Sequence, residues 1–124
     1  MIKAINKRLR FDEIDTLTDR EKLAIEQLKK SLEDEFGKVE LVLFGSKARG
    51  NFSDDSDVDI LVFTDKEEIR RNAAKLSDLT FYVNFEYGTN LSCKIANNKK
   101  WEDPNYYTLP FPRNVREDAI NLVL

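Results

Sequence analysis

The chain has 124 residues, a net charge of −3, one cysteine and no histidine. Its length fits one domain, and a lone cysteine, Cys93, excludes an internal disulfide. The negative charge argues against capture of long nucleic acid, which takes a basic face. Without histidine, acid–base and metal chemistry falls to carboxylates, which favour hard ions such as Mg²⁺ or Mn²⁺.

Hydrophobic residues make up 41 % of the chain, enough for a modest core. A domain of this size buries a smaller fraction of its surface than a large enzyme does, so a partner or a homo-oligomer is expected to add stability. No apolar run reaches the length of a membrane span, and Met1–Arg10 is too charged for a signal peptide. The expectation is a soluble, cytoplasmic protein.

Residues 1–18 carry scattered charge and weak periodicity, and read as an N-terminal arm ahead of a single domain over 19–124. Residues 19–36 predict a helix: Thr18 or Asp19 can cap it, Ala24, Ile25, Leu28, Leu32 and Phe36 recur at helical spacing, and Gly37 follows as a stop. Val39–Phe44 is a short apolar run with β-branched and aromatic members, as a buried strand requires. Gly45 and Ser46 end it, and a polar, turn-rich stretch covers 47–56. Asp57–Phe63 predicts the next strand, with Asp57, Asp59 and Leu61 on one face and Val58, Ile60 and Val62 on the other.

A long helix is expected from about Lys66 to Tyr87, with Ile69, Ala73, Leu76, Thr80, Val83 and Tyr87 as its buried stripe and Gly88 as its stop. Leu91–Ala96 reads as a third strand and 97–109 as loop. A last helix is expected from Pro110–Pro112, turning Val115, Ala119 and Val123 inward. This order predicts an α+β fold, a small mixed β-sheet flanked by helices.

The chemistry concentrates in Gly45-Ser46 and Asp57-x-Asp59. Gly45 permits close backbone approach at a strand end, and a turn starting at Ser46 presents free N–H groups and a hydroxyl to an anion. Two carboxylates on one strand face repel each other unless a cation lies between them. Such a pair can hold the ions that stabilise an in-line phosphoryl displacement. Arg49 and Lys47 place positive charge near the phosphates, and Arg49 can equally pair with a neighbouring aspartate. Asp55-x-Asp57-x-Asp59 also opens like an EF-hand, but Ile60 stands where that loop needs glycine and Lys66 where it needs glutamate.

The stretch LFGSKARGNFSDDSDVDILVF resembles the signature of the minimal nucleotidyltransferases of the polymerase-beta-like superfamily: Gly-Ser, ten residues, then Asp-x-Asp. The resemblance implies a nucleotidyltransferase fold and transfer of a nucleoside monophosphate from ATP or another NTP to a hydroxyl, with Mg²⁺ or Mn²⁺. It implies that Gly45 and Ser46 bind the triphosphate and that Asp57 and Asp59 bind metal. Small bacterial members pair with a HEPN-domain protein as a toxin–antitoxin module, and can add AMP to a tyrosine of that partner. The family also carries a third carboxylate on the strand after the long helix. By position Asn90 stands there, and neutral Asn cannot act as a base. Glu86, four residues earlier, is the candidate third catalytic acid. Asp118 stands where relatives tend to have glycine. Two functions follow: an active enzyme, or a catalytically impaired antitoxin or binding module on the same fold.

Overall fold

The computed structural model describes residue 5 and residues 7–124, without the side chain of Ile69. Five strands form one mixed sheet: β1 (Lys7–Arg10), β2 (Glu40–Phe44), β3 (Val58–Thr64), β4 (Leu91–Asn97) and β5 (Ile120–Val123), in the spatial order β1-β5-β2-β3-β4. β1 runs parallel to β5, β5 and β3 run antiparallel to β2, and β4 runs parallel to β3. This is the expected α+β architecture.

The first helix, α1 (Asp19–Phe36), forms where its caps and apolar stripe place it. Thr18 Oγ1 accepts from the Glu21 N–H at 3.1 Å while Glu21 Oε1 accepts from the Thr18 N–H at 2.9 Å, a reciprocal pair that satisfies two helix-start donors. Ala24, Ile25, Leu28 and Leu32 are fully buried against the sheet. The long helix α3 (Ile69–Tyr87) follows β3, packs beside α1, and brings Leu76, Thr80 and Val83 inward. It begins three residues later than Lys66. Thr64 Oγ1 accepts the Lys66 N–H and the Asn97 side chain donates to the Lys66 carbonyl, which holds that residue in a turn.

Alternation divides β3 as expected. Val58, Ile60 and Val62 join Leu41, Leu43, Ile120 and Leu122 under α1 and α3. On the opposite face Leu61 and Phe63 pack with Val42, Ala96, Trp101, Val115 and Ala119. The rest of that face, toward the start of β3, carries Asp59.

Three expectations are corrected. The segment read as an arm belongs to the fold over its described part: β1 extends the sheet, and Phe11, Ile14 and Leu17 are buried in the α1–α3 core. Residues 1–4 and 6 lie outside the described residues. The stretch 97–109 is not loop but two short helices, α4 (Asn98–Glu102) and α5 (Pro104–Tyr107), capped by the side chains of Asn97 and Asp103. Trp101 is buried edge-on to Phe63 and Tyr106, with ring centroids 5.0 and 6.0 Å away, so these rings pack the fold. The last helix, α6 (Pro110–Asp118), does not reach Val123. Ala119 turns extended, and Ile120–Val123 pairs between β1 and β2 as β5.

Candidate functional site

The site lies where β2 ends and β3 begins. Phe44, the last residue of β2, pairs with Asp59 of β3. The chain then turns at Gly45 into a single helical turn, α2 (Ser46–Arg49). Gly45 has φ 76° and ψ −157°, a conformation that side-chain-bearing residues rarely adopt. A Cβ there would also overlap the Asp59 side chain, with its Cγ at 3.1 Å. Gly45 therefore lets the backbone lie directly against the Asp59 carboxylate.

In α2 the N–H groups of Ala48 and Arg49 donate to the Gly45 carbonyl, both at 3.1 Å, and that of Gly50 to the Ser46 carbonyl at 2.8 Å. This pattern leaves the N–H groups of Ser46 and Lys47 outside the turn's own hydrogen bonds. The Ser46 hydroxyl makes no hydrogen bond among the described residues. Gly45 and Asp59 are thus brought together, and Ser46 follows Gly45 as the first residue of α2.

Asp57 precedes β3 and is exposed; Asp59 is half-buried. Burial pushes the Asp59 carboxyl above the ordinary carboxylate range, the Asp57 charge pushes it further, and Lys94 and Arg49 pull it back. Burial is thus the larger cause of the rise, and the like charge of Asp57 the smaller. The two carboxylates are the oxygen donors a hard divalent ion takes, whereas the N–H groups at the start of α2 suit an anion.

Other expected residues fall differently. Arg49 reaches Asp118 Oδ2 at 3.5 Å and Asn51 Oδ1 at 3.3 Å, so it is tied to neighbours while its charge still acts on Asp59. Lys47 is buried, 3.5 Å from Glu21 Oε1 and 4.1 Å from the centre of the Phe52 ring. It anchors α2 to α1. Glu86 is exposed on the last turn of α3 and makes no ion pair among the described residues. Those residues contain no group of three acidic, cysteine or histidine side chains able to share an ion, so Glu86 does not join Asp57 and Asp59.

Register identifies what β4 contributes. In this parallel pair Val58 matches Leu91, Asp59 matches Ser92 and Leu61 matches Lys94. Matched residues share a face, so Asn90, Ser92 and Lys94 stand beside the aspartates. Asn90 Nδ2 donates to Asp57 Oδ1, which fits its expected place. Ser92 and Lys94 are missing from the sequence reading, because facing across strands depends on pairing rather than on local pattern. Phe111 of α6 is also absent from that reading, because the packing of a helix residue on a distant strand leaves no local pattern. Its ring meets Phe44 edge-on at 6.2 Å and lies 5.2 Å under the Lys94 ammonium.

Beside Asp57 lies an open cleft of about 610 Å³, lined among others by Glu21, Asp54, Asp55, Ser56 and Asn90. Its lining includes Asn90, which donates to Asp57, but neither Asp57 nor Asp59. None of the described helices is long and apolar enough to cross a membrane.

No curated protein matches the chain. The family model of the nucleotidyltransferase domain matches residues 25–119, a span that runs from the middle of α1 to the end of α6 and includes every site residue above. The chain belongs to the nucleotidyltransferase domain family.

Proposed function

We propose that this chain is a divalent-ion-dependent nucleotidyltransferase that moves AMP from ATP to a hydroxyl, with a tyrosine of a HEPN-domain toxin partner as the acceptor. The observation that carries this reading is the close packing of Gly45, at the end of β2, against Asp59. Family membership supports nucleotidyl transfer in general. The preference for a protein acceptor rests on the resemblance of residues 41–63 to the minimal nucleotidyltransferases. Exposed Phe81, Tyr82 and Phe85 on α3 also favour a protein partner, a HEPN protein or a second copy of this chain.

Asp57 and Asp59 would hold Mg²⁺ or Mn²⁺, which supplies charge neutralisation at the triphosphate. Ser46, through its hydroxyl and the N–H groups at the start of α2, would orient the β- and γ-phosphates. Gly45 keeps that cradle against Asp59, and Arg49 adds positive charge from its tether on Asp118. The acceptor oxygen forms a bond to the α-phosphorus as the bond to pyrophosphate breaks, and the hydroxyl proton passes to solvent. The protein's work is positioning and charge stabilisation.

A second reading is favoured by one observation: Asn90, Ser92 and Lys94 put no carboxylate beside the aspartates from β4. On that reading the chain is an impaired antitoxin that acts by binding its partner. Transfer of label from α-labelled ATP to a HEPN partner decides between them. The enzyme reading expects labelled partner with the native chain and none with Asp57→Ala, Asp59→Ala. Label that persists in the double variant refutes the site. No label with the native chain, despite a stable complex, favours the second reading.

A further inference from the structure

We infer that this site holds a single divalent ion between Asp57 and Asp59, and that the Lys94 ammonium supplies the second positive charge facing the triphosphate. The inference rests on the proposed nucleotide site and concerns how that site balances charge.

On the site face, β4 presents an amide, a hydroxyl and an ammonium at Asn90, Ser92 and Lys94. The Asn90 amide group is engaged as a donor to Asp57. Ser92, beside Asp59, offers a neutral oxygen. A second divalent ion placed between Asp59 and β4 would therefore gain no carboxylate, and would face the like charge of Lys94.

Lys94 is well placed for this role. It lies one site-facing position beyond Ser92, and its ammonium stands 5.2 Å over Phe111, whose ring packs on Phe44, the β2 partner of Asp59. Lys94 thus stands on the face of the sheet that carries Asp59, matched with Leu61 two residues along β3. Lys94 makes no salt bridge among the described residues, whereas Arg49, the other nearby cation, is held by Asp118. Two carboxylates balance one divalent ion, and an unpaired ammonium beside them is left to meet phosphate oxygens.

The test counts bound Mn²⁺ by electron paramagnetic resonance at saturating imido analogue of ATP, with the full chain and folding checked by circular dichroism. The native chain is expected to hold one Mn²⁺. Lys94→Asp, which places a carboxylate beside the pair, is expected to hold two. Lys94→Met is expected to keep one Mn²⁺ but to bind the analogue about tenfold more weakly, since one charge-assisted contact is lost. Two Mn²⁺ in the native chain overturn the single-ion site, and unchanged analogue affinity in Lys94→Met overturns the role of the lysine. A native chain that binds no Mn²⁺, like Asp57→Ala with Asp59→Ala, overturns the underlying nucleotide site itself. The native count stands even if a variant fails to fold.

Discussion

Replacing Gly45 by alanine probes the contact on which the site is built. Gly45 sits at φ 76°, ψ −157°, which strains an alanine backbone by about 1–3 kcal/mol. The new Cβ would also meet Asp59, with Cγ at 3.1 Å and Cβ at 3.3 Å, and would push that side chain off its rotamer. Such a displacement costs about 0.5–1.5 kcal/mol, so the expected total is about 2–4 kcal/mol. At about 4 °C per kcal/mol for a chain of this size, the melting temperature should fall by roughly 8–16 °C. Gly50 is the control. It has φ 86° and ψ 6°, and a Cβ there meets nothing within 4 Å, so Gly50→Ala carries backbone strain alone. A double-mutant cycle with Asp59→Ala isolates the carboxylate contact, because Gly45→Ala should then keep only its strain and the 3.3 Å approach to the remaining Cβ. Urea unfolding measures all four proteins. Equal losses for Gly45→Ala with and without Asp59 would refute the claim that the turn is packed on the carboxylate.

Asp59→Asn is expected to stabilise the metal-free protein at neutral pH while abolishing binding of MgATP. The folded-state carboxyl lies above its unfolded value, so its ionisation penalises the fold. That penalty is absent below the ordinary carboxylate range and is fully present above the raised folded value; thermal melts across that window should show the native chain and the variant converging as the pH falls. Binding of Mg²⁺ and nucleotide needs ionised Asp59, so its affinity should decline on acidification at a higher pH than an ordinary aspartate would give, as calorimetry across the same range can establish. Glu21→Ala removes both the partner of buried Lys47 and half of the α1 cap. Leaving that buried charge uncompensated should cost about 3 kcal/mol by urea unfolding, and a loss under 1 kcal/mol would show that Lys47 needs no partner.

What was legible in the sequence was local. Thr18 announces the start of α1, and Gly37 its end, because capping chemistry is set within a few residues. Asp59 shares a face with Leu61 because side chains alternate along any strand, with Asp57 just ahead of it, and Gly45 stands at a strand end whatever that strand packs against. What was illegible was long-range or short in extent. Ile120–Val123 is a four-residue strand behind a helix, and at that length apolar spacing fits either state. The helices over Asn98–Glu102 and Pro104–Tyr107 are too short for periodicity, although Asn97 and Asp103-Pro104 are recognisable starts in hindsight. Ser92 and Lys94 reach the site only through the register of β4 on β3, and no single strand specifies its neighbour's register.

The central claim is that a serine turn at the end of one strand and two aspartates on the next form one receptor for a divalent ion and a nucleoside triphosphate. Isothermal titration of the native chain with ATP, with and without Mg²⁺, tests it most directly. Saturable binding that requires Mg²⁺ and vanishes in Asp57→Ala with Asp59→Ala is the expected result. Binding that ignores both the ion and the two aspartates, or no binding by a folded native chain, would contradict it.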